Sequence, residues 1–148
     1  MQVTEILRLK GGTLYTATPG QLLAAAIATM ADLDMGSLVV MEEGRMVGML
    51  TFREVMLALR EHGVCPDGVT VGDVMVRDPV TAFPGMDAND LRRLMIDKHS
   101  RYLPVLDGGT LLGVISFLDV AKAVLEEQSF ENKMLKSYIK NWPEEPSI

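Results

Sequence analysis

The chain contains two copies of one sequence unit, and this duplication constrains the fold more than any other feature of the sequence. The segments GMLTFREV at 48–55 and GVISFLDV at 113–120 share Gly, Phe and Val at the same positions. An offset of 65 residues aligns the copies without gaps from Thr16 onward, so that Thr16 matches Thr81. Two copies are too few for a solenoid, which needs about three or more repeats. The sequence therefore predicts two similar units related by pseudo-two-fold symmetry.

Each copy shows the same succession of helix and strand signals. A helical pattern is followed by a short aliphatic strand, a turn and a returning strand, and a second helix then begins at Thr51 or Ser116. The turns, EEGR at 42–45 and DGGT at 107–110, contain the glycine that tight hairpins favour. A short extended piece before the first helix completes a β-α-β-β-α unit. The sequence thus predicts a mixed α/β (α+β) fold built from two such units.

The same patterns predict how the chain is divided. The Gly- and Pro-containing stretch EHGVCPDGVT lies between the copies and indicates a linker. The C-terminal segment has a helical pattern to about residue 140, before prolines end regular structure. We therefore expect a first repeat over 1–62, a linker over 63–70, a second repeat over 71–128, and a C-terminal helix and tail over 129–148.

Composition argues against several classes of function. The sequence has 14 Lys and Arg against 20 Asp and Glu, a net charge of −6, which disfavours nucleic acid as a partner. Its longest apolar run, 22–28, is far too short to span a bilayer, so no membrane association is expected. The N-terminus lacks a signal layout and Cys65 is the single cysteine, so we expect a cytoplasmic location. His62 and His99 lack metal-ligand spacing, and we expect no metal and no catalytic cofactor.

The phrases Thr51-x-x-Glu54 and Ser116-x-x-Asp119 have two interpretations. The structural one is a capping box, in which the hydroxyl and the carboxylate satisfy free N–H groups at the start of a helix. The functional one is a ligand site, since a helix N-terminus binds anions and a nearby carboxylate suits the diol of a ribose. The spacing alone leaves both interpretations open.

The two copies resemble a tandem pair of cystathionine-β-synthase (CBS) domains, often called a Bateman module. The resemblance rests on the Gly-aliphatic-aliphatic-Thr/Ser-x-x-acidic phrases at 48–54 and 113–119, the segment RYLPVLDGG at 101–109, and the segments TATP and TAFP before the first helices. It covers about residues 3–125. The family implies two adenosine-type sites in the cleft between the repeats, which sense AMP, ADP, ATP, S-adenosylmethionine or NAD, usually without catalysis.

The resemblance also implies which residues form the two sites. One site combines residues of the second repeat with a segment of the first: Ser116, Asp119, Thr81, Ala82, Phe83, Gly36 and Ser37. The other combines Thr51, Arg53, Glu54, Thr16, Ala17 and Thr18 with Arg101 and Tyr102 reaching across. Glu54 departs from the Asp that is usual in the family. We expect Glu54 to close its capping box and Asp119 to remain free, which predicts the tighter nucleoside contact at Ser116 and Asp119.

These observations lead to one expected function and one alternative. We expect a cytoplasmic, non-enzymatic regulatory module that binds an adenine nucleotide (AMP, ATP or NAD) or S-adenosylmethionine between its repeats. The alternative is a dimerisation or docking module for a partner enzyme or transporter, with an empty cleft. The nearly all-apolar first helix predicts a homodimer, to which the 129–140 helix adds contacts. The ligand, the client protein and the dimer geometry are left open.

Overall fold

The computed structural model describes residues 1–64 and 67–141, so Cys65 lies outside the described residues. The helices and strands follow in the order α1 (Val3–Lys10), β1 (Thr16–Ala17), α2 (Leu23–Asp32), β2 (Ser37–Glu42), β3 (Arg45–Thr51), α3 (Phe52–His62), α4 (Val71–Val74), α5 (Ala88–Asp97), β4 (Tyr102–Asp107), β5 (Thr110–Ser116) and α6 (Phe117–Lys140). This is the mixed α/β architecture of two similar units that the duplication predicts.

Each repeat is built around a β-hairpin. Strands β2 and β3 pair antiparallel, as do β4 and β5, and each hairpin has an irregularity at the same place, after Val40 and after Val105. In the first repeat β1 adds a third, parallel strand. In the second repeat the corresponding piece is reduced to one parallel bridge between Ala82 and Val105. The predicted first strand of the second repeat is therefore only a single paired residue.

The N-terminal helix α1 packs in the core of the second repeat. Val3 and Ile6 are buried beside Leu91, Leu103 and Ile115, which all belong to that repeat. The N–H of Val3 also donates to the carbonyl of Met86 at 2.9 Å. Because a helix of eight residues is not stable alone in water, this contact holds α1 in place.

The short helix α4 makes the reciprocal contact with the first repeat. Val71 is fully buried in the cluster that contains Leu23, Leu38 and Leu50. Its N–H donates to the carbonyl of Gln21 at 2.9 Å. Each repeat therefore contains the helix that precedes the other repeat in the sequence, and both units have an additional N-terminal helix that the predicted β-α-β-β-α pattern did not include.

This exchange determines what lies between the repeats. Residues 1–10, which the sequence places in the first repeat, and 71–75, which it places in the second, pack in the opposite units. The chain must then cross from one repeat to the other over 11–15 and again over 76–80. These two crossing segments lie at the interface of the repeats, where the sequence analysis places the ligand sites.

The last helix continues past the second repeat without a break. Helix α6 runs over 24 residues and ends at Lys140, so the predicted C-terminal helix is the second half of α6. Its half-buried and buried residues, such as Val120 and Ala123, belong to the first half, and the residues from 128 onward are exposed. No helix of the described residues is both long enough and apolar enough to cross a membrane.

Candidate functional site

Two cavities lie between the repeats, and each is centred on the N-terminus of a helix. In both repeats the returning strand of the hairpin leads directly into a helix, so Thr51 and Ser116 each end a strand and cap the following helix. Thr51 lies in a cavity of about 850 Å³ and Ser116 in one of about 520 Å³. We call these the Thr51 cavity and the Ser116 cavity. Both volumes lie within the usual range for small-molecule sites.

The Thr51 cavity contains most of the residues predicted for one site. Its lining residues are Met49, Thr51, Phe52, Arg53, Glu54, Met56, Leu57, Val76, Asp78, Pro79, Val80, Lys98, His99, Ser100, Arg101 and Tyr102. The predicted Thr16, Ala17 and Thr18 are not among them, because β1 pairs with β2 away from this cavity. The crossing segment 76–80 takes their place. It is held there by the two hydrogen bonds between Val76 and Met49, both 2.9 Å.

The Ser116 cavity is the pseudo-symmetric counterpart. Its lining residues are Lys10, Thr13, Leu14, Tyr15, Asp34, Met35, Gly36, Ser37, Arg101, Tyr102, Val114, Ser116, Phe117 and Leu118. Gly36, Ser37 and Ser116 come together as predicted. The predicted Thr81, Ala82 and Phe83 are absent from the lining, since Ala82 is buried in the core of the second repeat. The crossing segment 13–15 lies there instead, so the predicted segments 16–18 and 81–83 line neither cavity.

The Thr51 and Glu54 side chains do not form the predicted capping box. The hydroxyl of Thr51 donates to Oε2 of Glu54 at 2.6 Å, and neither side chain bonds a free N–H of the helix. The carboxylate of Glu54 thus bonds the hydroxyl that would otherwise cap the helix. Glu54 is only 7% exposed, which makes it one of the two buried polar side chains in the described chain.

The Ser116 and Asp119 side chains form the complete box, so the prediction that Asp119 remains free is wrong. The N–H of Ser116 donates to Oδ2 of Asp119 at 2.9 Å, and the N–H of Asp119 donates to the Ser116 hydroxyl at 3.1 Å. The same Oδ2 accepts a hydrogen bond from Nζ of Lys10 at 2.7 Å.

The surroundings of Asp119 favour its ionised form. Burial by itself raises the pKa of Asp119, but the hydrogen bonds from Lys10 and from the N–H of Ser116 outweigh burial. The net result is a pKa below the ordinary value of 3.8. Asp119 is therefore a carboxylate at neutral pH, with Lys10 as its counter-ion.

Arg101 and Tyr102 line both cavities. The ring of Tyr102 packs against Gly36, where a β-carbon would overlap the tyrosine hydroxyl. The carbonyl of Arg101 accepts a bond from the N–H of Phe117 at 2.8 Å, and the carbonyl of Gly36 accepts one from Phe52 at 3.2 Å. Within the described residues the guanidinium of Arg101 makes no hydrogen bond or ion pair and is exposed. It is available to a ligand in either cavity.

The two cavities differ in how many of their cationic side chains are paired. Arg53, Lys98 and Arg101 line the Thr51 cavity and form no ion pair among the described residues. In the Ser116 cavity Lys10 is paired with Asp119, which leaves Arg101 as the unpaired cation. The Thr51 cavity therefore has more cationic side chains available to an anionic ligand.

Sequence reasoning missed Lys10, Asp78 and Tyr15. Lys10 and Asp78 hold corresponding positions, since VTEIL at 3–7 aligns with VGDVM at 71–75. That alignment was a usable signal, but the exchange of α1 and α4 between the repeats has no local signature. The described residues contain no cluster of three His, Cys, Asp or Glu side chains that could hold a metal ion.

Comparison with known proteins agrees with this architecture. The CBS domain family model matches residues 13–61 and 71–126, and the chain belongs to this family. The CBS domain-containing protein YhcV of Bacillus subtilis is 32% identical over 115 residues, which cover 77% of this chain and 81% of YhcV. A putative signal-transduction protein with CBS domains from Burkholderia ambifaria is similar in structure, with a TM-score of 0.80 and 30% identity, covering 86% of this chain and 96% of that one.

Two more distant structures share the fold and contain ligands. The CBS domain pair of MJ0100 is in complex with 5′-methylthioadenosine and S-adenosyl-L-methionine (TM-score 0.75, 19% identity, 86% of this chain and 98% of that one). CBSX2 is in complex with AMP (TM-score 0.69, 22% identity, 77% of this chain and 90% of that one). At these identities the likeness concerns the fold.

Proposed function

We propose that this protein is a regulatory module that binds an adenosyl ligand, such as AMP, ATP, NAD or S-adenosylmethionine, in the cavities between its repeats. One observation carries the proposal: each cavity combines a helix N-terminus and a hydroxyl from one repeat with residues from the other, and a carboxylate lies one turn into that helix, lining the Thr51 cavity as Glu54 and adjoining the Ser116 cavity as Asp119. The carboxylate suits a ribose diol and Arg101 suits a phosphate. The adenosyl ligands of MJ0100 and CBSX2 make this ligand class the first to test.

The cavity walls suggest how a bound ligand changes the relative pose of the two repeats. A ligand in the Thr51 cavity contacts α3 of the first repeat and residues 98–102 of the second at the same time. It can therefore favour one relative pose of the repeats, provided that its affinity differs between poses. The proposed role is regulatory and non-enzymatic. The single cysteine of the sequence supports the proposed cytoplasmic setting.

We further propose that the two cavities are unequal, in the opposite order to that expected from the sequence. The expectation of a tighter site at Ser116 required a free Asp119, whereas Lys10 and the N–H of Ser116 both bond this carboxylate. A ligand enters the larger Thr51 cavity without breaking an ion pair. We therefore expect the Thr51 cavity to fill first.

A thermal-shift panel with AMP, ATP, NAD and S-adenosylmethionine tests the proposed function. A ligand at 100 times its Kd should stabilise the fold by about 2.7 kcal/mol. GMP serves as the matched control, because it has the same phosphate and ribose as AMP with a different base. No shift with any adenosyl ligand, or equal shifts with AMP and GMP at equal concentrations, would contradict the proposal.

A second candidate function is docking, as a homodimer or on a client protein, and exposed apolar side chains favour it. Met56 of α3 is 69% exposed, and Leu125 and Phe130 of α6 are 64% and 65% exposed. Helix α2 buries Leu23 and Ala26 and leaves the alanines between them open for close approach. Light scattering at micromolar concentration should return twice 16.2 kDa for the proposed homodimer. A species of 16.2 kDa would contradict the homodimer.

A further inference from the structure

Lys10 holds the carboxylate of Asp119 that a ribose would need in the Ser116 cavity. Its ammonium lies 2.7 Å from Oδ2 of Asp119 and 2.8 Å from the carbonyl oxygen of Val114. Two of its three N–H groups are thereby used. The side chains of Lys10 and Asp119 are 35% and 21% exposed, so the pair is partly shielded from water. A neutral diol that approaches this oxygen must compete with a cation.

Helix α1 fixes Lys10 at this position. Ile6 is buried in the core of the second repeat, and Leu7 lies against Gly113, where a β-carbon would come within 3.0 Å of the leucine Cδ2. The hydroxyl of Thr4 donates to the carbonyl of Pro84 at 2.8 Å. The backbone of α1 is thus clamped to the repeat that contains Asp119, and only the flexible end of the lysine side chain is free to change partner.

The corresponding position of the Thr51 cavity has the opposite charge. The matched sequences VTEIL and VGDVM place Asp78 where the other cavity has Lys10. Asp78 lines the Thr51 cavity and is exposed, and no ion pair joins it to Glu54, which is the counterpart of Asp119. Lys10 is therefore a feature of one cavity and not of the shared architecture.

We propose that Lys10 makes the Ser116 cavity select phosphorylated adenosyl ligands over the nucleoside; this inference rests on the proposed function. A nucleotide offers a phosphate to the ammonium while its diol takes Oδ2 of Asp119, so the number of ion pairs is unchanged. Adenosine offers no anion, and although Oδ1 of Asp119 accepts no hydrogen bond among the described residues, the adenosine diol can bond both carboxylate oxygens only if Lys10 loses its counter-ion at Oδ2. Selectivity follows from this exchange of partners and needs no contact of Lys10 with the base.

The experiment titrates ¹⁵N-labelled protein with adenosine and with AMP and follows the amides of Phe117 and Phe52, which line the Ser116 and Thr51 cavities respectively, with the amides of Leu118 and Leu57 as second reporters of the same two cavities. The variants are Lys10→Met, which keeps the aliphatic chain, and Lys10→Arg, which keeps the charge. Lys122→Met is the matched control, since Lys122 is exposed on α6 and lines neither cavity. Thermal melts of all variants confirm that they are folded.

For Lys10→Met we expect AMP affinity at the Ser116 cavity to fall about tenfold to a hundredfold. Adenosine affinity there should rise roughly two- to fivefold, because the partly exposed ion pair no longer competes. Lys10→Arg and Lys122→Met should keep the wild-type preference for AMP.

The proposal is overturned if Lys10→Met changes adenosine and AMP affinity equally, or changes neither. If the ligand changes the amide chemical shift only at Phe52, in the wild type and in every variant, this inference is overturned and the proposed function stands. An absence of shifts at both amides, in wild type and variants alike, contradicts the proposed function and this inference with it.

Discussion

The ring of Tyr102 packs against Gly36 so closely that a β-carbon on the glycine would overlap the tyrosine hydroxyl. The two residues belong to different repeats, and both line the Ser116 cavity. Tyr102 also lines the Thr51 cavity, so its ring forms part of the wall between the two. This contact joins the repeats at the point where both candidate sites meet.

Gly36→Ala should therefore destabilise the protein and disturb both cavities. Because the alanine methyl group must displace the ring of Tyr102, we expect a loss of about 1–3 kcal/mol in the free energy of unfolding, measured by urea denaturation. Gly12→Ala is the matched control, since nothing lies within 4 Å of a β-carbon at Gly12. If Gly36→Ala is as stable as Gly12→Ala, the ring of Tyr102 can move aside without a measurable loss of stability.

Asp119 should make stability depend on pH at acid values. The pKa of Asp119 is lowered below 3.8 in the folded protein. Its carboxylate therefore adds to the free energy of unfolding above pH 3.8, and this stabilisation is lost as the pH falls through the folded-state pKa. Asp119→Asn should cost about 1 kcal/mol at neutral pH, since it weakens the cap and removes the charge that Lys10 pairs with. The difference from wild type should shrink as the pH falls below 3.8, measured by denaturation at constant ionic strength. If the difference in the free energy of unfolding between wild type and Asp119→Asn does not change with pH, the charge of Asp119 does not contribute to stability.

Arg101→Ala should weaken nucleotides more than the nucleoside. The guanidinium is free of internal partners among the described residues, so it can bond a phosphate in either cavity. We expect AMP affinity to fall about tenfold to a hundredfold by calorimetry, with little change for adenosine. Arg60→Ala, on the exposed surface of α3 outside both cavities, is the control. Equal losses for AMP and adenosine would indicate that Arg101 acts through the fold.

Glu54→Ala should affect the Thr51 cavity selectively. Since Glu54 bonds the Thr51 hydroxyl and not the cap N–H, its removal takes away the proposed ribose acceptor without removing a helix cap. AMP affinity at the Phe52 amide should fall by about tenfold or more, while the Phe117 response to AMP stays at its wild-type value. Loss of the Phe117 response as well would show that the cavities are not independent.

Much of the fold was predictable because its signals are local. Hairpins follow from aliphatic runs on either side of glycine-containing turns, and Thr51 and Ser116 mark the starts of α3 and α6. The end of α6 at Lys140 agrees with the expected limit near residue 140. The single bridge at Ala82 was not predictable, because whether a short extended piece pairs depends on the neighbouring strand.

The candidate site was predictable in part. The sequence placed Thr51, Arg53 and Glu54 together with Arg101 and Tyr102, and the structure brings these residues to one cavity. The predicted segments 16–18 and 81–83 line neither cavity, and the capping box closes at Ser116 and Asp119 and not at Thr51 and Glu54. The hydrogen-bond partners of Asp119 include Lys10, which is distant in the sequence, and a four-residue motif does not contain such a contact.

Local residue patterns were enough to predict that the chain forms two like units and that helices begin after Thr51 and Ser116, because duplication and periodicity are properties of neighbouring residues. The tertiary structure alone decided that α1 and α4 exchange repeats, that 11–15 and 76–80 cross the interface, and that Lys10 meets Asp119 across 109 positions of sequence. These features depend on which buried surface each short helix covers. Packing between distant segments decides which repeat each short helix contacts, and no local sequence pattern predicts it.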